Sequence, residues 1–289
     1  LLYQAGLCPG EQNEELRQQA YDAFYKATWS SEQQEKCYYY LAAMDAGQGD
    51  WEKALEMVEK ALVKNAHNVK ARGLKGYLLR KLGMLQAAEK WNQESLKLDA
   101  FDFVSGYEQV LCRKSEEEKR NLSGKMRDFA DNYLMTARDY AEFGAYEEAI
   151  QILEGCKQNS PLLKYYEVYY LFCSEKKGCG AETETQSPTE EQKQGRQRIQ
   201  KLLQEAEAAS PDYCFPNKLE DIAVLSFAAE SESCPMAMYY LGCLFYDKLQ
   251  WKRALDLWEG AEEKIPAFPT VHRNLALAYY NKCNEPEKA

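Results

Sequence analysis

The chain has 289 residues, of which 45% are apolar and 28% charged, and a net charge of −10. This is the profile of a globular protein with room for a sizeable core. The acidic balance argues against duplex nucleic acid or an anionic membrane surface as the main partner, since both need clustered Lys and Arg. No apolar run reaches the roughly 18 residues of a membrane span.

Ten cysteines stand at 8, 37, 112, 156, 173, 179, 214, 234, 243 and 283, with no C-x-x-C pair. Most fall within helical patterns, where a thiol acts as a small apolar side chain. Structural thiols in a reducing, cytoplasmic setting are expected. The two histidines, His67 and His272, stand near no cysteine pair, so neither a metal nor a cofactor is expected. The chain opens Leu-Leu-Tyr without an initiator Met, which reads as a fragment of a longer protein.

In chain order, an N-terminal segment at 12–32 opens with a helix over 12–29, with Ala20, Phe24 and Ala27 on one face. Two regular helix–turn–helix units follow at 33–66 and 67–100. They are in phase at 34 residues: Gly49 falls on Gly83, Trp51 on Leu85, Ala54 on Ala88, Leu62 on Leu96. Residues 101–124 break the period. There FDFVSGYEQVLC predicts a helix, and KSEEEKR a charged turn or helix end. A third unit covers 126–160, with Gly144, Tyr146, Ala149, Leu153 and Pro161 in the equivalent places.

LLKYYEVYYLFC begins a unit at 161–211 that is interrupted by a polar insert at 178–188, read as a mobile loop. NKLEDIAVLSFAAE predicts an extra helix at 217–230, with Asn217 as cap and Glu220 three residues on as its carboxylate partner. A unit at 235–266 and a truncated one at 269–289 close the chain. Throughout, small residues recur on first helices (Ala42, Gly76, Ala137, Gly242, Ala276) and alanines on second helices (Ala54, Ala88, Ala149, Ala254), with large residues filling the space beside them. These small side chains let backbones approach closely, so the spacing is explained by packing.

The stretch Leu241, Gly242, Phe245, Ala254, Trp258, Ala261 and Pro266 resembles the tetratricopeptide repeat (TPR), with its W-x2-L-G-x2-Y … A-x3-F … P pattern. The resemblance implies an all-α fold, a single right-handed α-solenoid of TPR units with irregular inserted helices. AYDAFYKATW, FPNKLEDIAVL and FPTVHRNLALAYYNK are also similar to the C-terminal repeat region of large bacterial proteins carrying a domain of unknown function. In that family the repeats follow a β-rich region similar to carbohydrate-active proteins.

No catalytic motif stands out: G-x-S-x-G, the P-loop, H-E-x-x-H and G-x-G-x-x-G are all missing. Asp128, Asp131, Asp139 and Glu142 share a helical segment and read as a solvated acidic face. No enzyme is expected. Cys179, in the polar insert, lacks a neighbouring His.

The TPR resemblance implies instead a concave surface of first helices that binds a protein or peptide, another domain of the same chain, or a second copy. In that register the face carries Lys36, Tyr39, Lys70, Tyr77, Arg80, Asp131, Arg138, Tyr239, Tyr246, Arg273, Asn274 and Tyr280. Planar guanidinium groups and stiff aromatic rings suit binding hot spots. The same tyrosines can also serve as packing between helices. The clamp by which some TPR proteins hold a chaperone's C-terminal carboxylate needs Lys and Asn where this chain has Tyr39, Ala43 and Leu74, so that partner is not expected. The rival reading is an accessory or oligomerisation domain of a larger carbohydrate-active bacterial protein.

Overall fold

The computed structural model describes residues 11–178, 190–231 and 233–289. Among these it contains fifteen α-helices, one π-helical turn and no strand. The predicted mobile loop, with Cys179, lies outside the described residues. The chain divides into two compact units, one ending at Gln158 and the other beginning at Asn159, where the sequence reading expected one array.

The first unit comprises α1 (Glu11–Ala27), α2 (Gln34–Gln48), α3 (Trp51–Lys64), α4 (Val69–Lys81), α5 (Leu85–Leu98), α6 (Phe103–Arg113), α7 (Glu116–Met126), α8 (Ala130–Glu142) and α9 (Tyr146–Glu154). The stripe on α3 shows why these helices pair. Ala54, Val58, Ala61 and Leu62 recur at the three- and four-residue spacing of one face and are buried. Ala54, Ala88 and Ala149 are all fully buried, as the small-residue seam requires.

The turns inside three hairpins share one device. Gly49, Gly83 and Gly144 have φ of 86°, 74° and 69°. The next residue's N–H reaches back five positions, Asp50 to the Asp45 carbonyl, Met84 to Leu79 and Ala145 to Tyr140. This satisfies carbonyls the helix end would otherwise leave orphaned.

KSEEEKR holds both the turn and a helix end: Lys114 and Ser115 form the turn, and residues 116–120 open α7, whose Ser115 hydroxyl accepts the Glu118 N–H at 3.4 Å, with three glutamates in the positive first turn. One sequence expectation is corrected here. The predicted acidic face at 128–142 is not solvated as a whole. Asp128 precedes α8 at φ 52°, and its carboxylate accepts the Lys157 N–H at 2.6 Å. Asp139 and Glu142 are largely buried, at 14% and 12% side-chain exposure, and only Asp131 remains open to solvent.

The second unit comprises α10 (Pro161–Gly178), α11 (Glu190–Ala208), α12 (Leu219–Ala229), α13 (Pro235–Asp247), α14 (Trp251–Lys264), α15 (Pro269–Ala278) and the π-helical turn Tyr279–Cys283. The tyrosine-rich α10 is buried along most of its length, and its phenols find carboxylates. Tyr165 donates to Glu207 and Tyr166 to Asp221, both at 2.6 Å. Glu207 in turn accepts the Met236 N–H at the N-terminus of α13, a favourable place for a negative charge. Asp221 also accepts the N–H groups of Asn217 and Lys218. The start of α12 is therefore held by Asp221, not by the expected Asn217 and Glu220, and the Asn217 amide donates to the Phe215 carbonyl.

In the hairpin of α13 and α14 the left-handed turn position is occupied by Leu249 at φ 61°, with Gln250 reaching back to Phe245. Here the turn geometry is preserved without the glycine.

Candidate functional site

The expected concave residues of the first unit lie on α2, α4 and α8, and the structure commits those of α2 and α4 largely internally. Helix α8 packs against α2, α6 and, through side chains, α4. Tyr39 is 4% exposed, and its hydroxyl donates to Glu142 Oε2 at 2.7 Å. Lys70 Nζ lies 2.9 Å from Asp139 and 3.3 Å from Glu142. Tyr77, 3% exposed, packs its ring against Tyr140 and Phe143.

Arg80 forms the strongest of these ties. Its guanidinium donates to both carboxylate oxygens of Glu108, at 2.5 and 3.0 Å, and to Glu148 at 3.1 Å. Glu108 is fully buried, and Tyr140 donates to it as well, at 2.7 Å. Lys81 adds a contact to Glu148 at 2.8 Å. A buried carboxylate is tolerable only with this degree of pairing. Sequence reasoning did not pick out Glu108, although a lone glutamate within the apolar run of α6 was a usable signal.

The electrostatics follow from burial. Asp139 is pushed up to about 6 by loss of solvent, against the pull of the Lys70 ammonium. Burial works against the charge of Lys70, yet Asp139 and Glu142 hold it above the ordinary lysine range. Of the remaining expected residues in this unit, Lys36 and Asp131 are exposed and Arg138 is half-buried. Tyr39, Lys70, Tyr77 and Arg80 are thus tied to side chains of the chain's own α6, α8 and α9 and to Phe143, while about half of the Lys70 side chain stays exposed.

In the second unit the expected residues lie on α13, α15 and the π-helical turn. Tyr239 meets Phe268 edge-on at 4.9 Å between ring centroids. The Asn274 amide points at Cys243 Sγ, 3.7 Å away, joining α15 to α13. Tyr246 lies against the buried Trp258 at 5.3 Å. Arg273 is exposed, as is Tyr280 at 65%. These side chains therefore leave cationic and aromatic groups open to solvent beside a packed layer.

A feature not legible in the sequence lies in the first unit. The α6–α7 and α8–α9 hairpins enclose a cleft of about 660 Å³. Phe103, Met126, Tyr133 and Ile152 form its buried apolar floor.

The fold and surfaces define a helical-hairpin repeat protein of the α-solenoid class. Residues 45–103 match the tetratricopeptide repeat family model. Among solved structures, it is similar to MamA 41-end from Desulfovibrio magneticus RS-1 at 16% identity and a TM-score of 0.31, over 59% of this chain and 94% of that one. It is also similar to YrrB, described as a TPR protein with an unusual peptide-binding site, at 14% identity and a TM-score of 0.23, over 79% and 99%. A third likeness is to the TPR2AB-domain:pHSP90-complex of yeast Sti1, at 14% identity and a TM-score of 0.25, over 94% and 98%. Among the described residues no helix is long and apolar enough to cross a membrane.

Proposed function

We propose that the chain is a non-catalytic scaffold that binds a protein or peptide on preformed helical surfaces. The observation that carries this reading is the TPR match over 45–103, continued by hairpins built on the same buried alanines. Rigid helix pairs present side chains already in place, so little ordering is needed on binding. In the second unit the contact face is formed by Tyr239, Tyr246, Arg273, Asn274 and Tyr280. Arg273 and Tyr280 are its energetic centre, because they combine exposure with a planar donor and a stiff ring. The resemblance of 215–225 and 268–282 to the repeat region of large bacterial proteins supports a role as one module of a larger cytoplasmic protein.

A pull-down with Arg273→Ala and Tyr280→Ala tests the assignment. Each substitution is expected to weaken capture of a bound partner by about tenfold, the effect of a lost contact worth about 1.4 kcal/mol. Partners retained undiminished by both variants would sink the second-unit face.

A further inference from the structure

Helix α15 rests on a narrow apolar base, burying Val271, Leu275 and Ala278. Beyond these it is held by polar and aromatic ties. The Asn274 amide points at Cys243 Sγ on α13, the Tyr279 hydroxyl donates to Glu259 on α14, and the Lys282 ammonium lies 5.0 Å over the Trp251 ring. His272, in the first turn of α15, makes two ties at once. Its Nδ1 lies 2.6 Å from Glu262 Oε1 on α14, and its Nε2 lies 2.8 Å from the Pro266 carbonyl in the link between the two helices.

Both of those partners are acceptors. A neutral imidazole donates from one nitrogen and accepts at the other, so only the imidazolium can donate to both. In the neutral ring one nitrogen lone pair would face the lone pairs of the carboxylate or of the carbonyl. The geometry therefore calls for a proton that histidine carries over only part of the physiological range. Among the described residues Glu262 is the one carboxylate within 4 Å of the ring. Elsewhere on α14, Glu259 is taken by Tyr279, Asp256 and Glu263 are exposed, and Lys264 lies toward Cys234. Arg273 on α15 is exposed, Lys282 covers Trp251, and α13 presents Tyr239 and Cys243. The Pro266 carbonyl and then the Glu262 carboxylate hold His272 above the ordinary histidine value, although the first turn of a helix disfavours a cation.

We infer that His272 is a proton-operated clamp that seats α15 on α14, closed when the imidazole is charged and loosened when it is neutral. Because docking raises the affinity of the ring for its proton, the clamp's contribution is complete below the undocked value of about 6.5. It is lost as pH rises through the higher docked value. Helix α15 carries Arg273, and the turn after it carries Tyr280. The clamp therefore regulates the shape of the second-unit face. That consequence rests on the scaffold reading, whereas the clamp itself is measured without a partner, so the two can fail separately.

The test uses the full chain, in which His272 is one of two histidines. NMR of labelled imidazole carbons, followed from about pH 5 to about pH 9, gives the titration of each ring. His272 is expected to titrate above 6.5. Glu262→Gln should lower that value and move one ring only, which assigns it. Hydrogen exchange of the α15 amides, corrected for the intrinsic effect of pH, should lose protection over the same range. The loss, as a factor, should equal ten raised to the difference between the docked and undocked His272 pKa values. In His272→Gln, which keeps one donor but has no proton to lose, protection should not change with pH. Glu262→Gln should show a smaller fall than the wild type, and it supplies the same comparison if His272→Gln does not fold. A His272 ring titrating at or below 6.5 overturns the inference, as does protection that falls equally in the wild type and in these variants. A raised pKa with pH-independent protection overturns it too, since the contact is then a surface ion pair only.

Discussion

Gly242 allows the packing of α13 on α14 to be tested with a single methyl group. A Cβ at this position would stand 2.5 Å from both Cδ1 and Nε1 of Trp258. An ordinary carbon contact needs about 3.5–4.0 Å, so ring and backbone must separate by about 1 Å. The ring cannot yield easily. It is 2% exposed, lies against Tyr246, and its Nε1 donates to the Tyr239 carbonyl at 3.1 Å. Overpacking of this kind costs about 1–3 kcal/mol, and weakening the indole hydrogen bond adds about 1 kcal/mol. Against this, alanine favours the helix by about 1 kcal/mol over glycine. Gly242→Ala is therefore expected to destabilise the protein by about 1–3 kcal/mol, measured by urea unfolding followed by circular dichroism. Gly124→Ala is the control. It lies inside α7 with nothing within 4 Å of the added carbon, so only the propensity gain of about 0.5–1 kcal/mol should remain. Gly242→Ala as stable as wild type, or both variants losing stability equally, would refute the reasoning.

Three further outcomes are expected. Leu249→Gly, which places glycine at the turn position where φ is 61° and the leucine is 71% exposed, should raise the melting temperature, because the strain removed, about 1–2 kcal/mol, exceeds the extra chain entropy of glycine. Arg80→Ala should cost about 3–5 kcal/mol in denaturant unfolding by leaving the fully buried Glu108 without its cation, and adding Glu108→Gln should restore part of the loss. Asp139, at 3.8 when unfolded and raised to about 6 by burial, binds its proton more tightly in the fold. Its contribution is thus fully present below about pH 4 and is lost as pH rises through 6. Urea midpoints at pH 4.5 and pH 7 should show that slope in the wild type and a flatter one in Asp139→Asn; equal slopes would contradict the burial of the Asp139 carboxyl.

Helix content, hairpin spacing and the buried seam were legible in the sequence because they depend on local periodicity and on side-chain size. Ala54, Ala88, Ala149 and Ala254 recur in phase, and all four are fully buried. Gly49, Gly83 and Gly144 likewise marked turns that demand positive φ. The alternative reading of the tyrosines, as packing, describes Tyr39 and Tyr77, while Tyr280 remains open to solvent.

What only the tertiary structure decided is which polar side chains are left for a partner. Periodicity placed Lys70 and Arg80 on a first-helix face. It carried no information that carboxylates 69 or 72 and 28 or 68 residues away would neutralise them, because ion pairing depends on distance in space. The cleft along α6 has the same origin. It exists because α7 contributes one buried side chain and stands off from α8 and α9, and no local run of letters encodes the width of a gap between two hairpins.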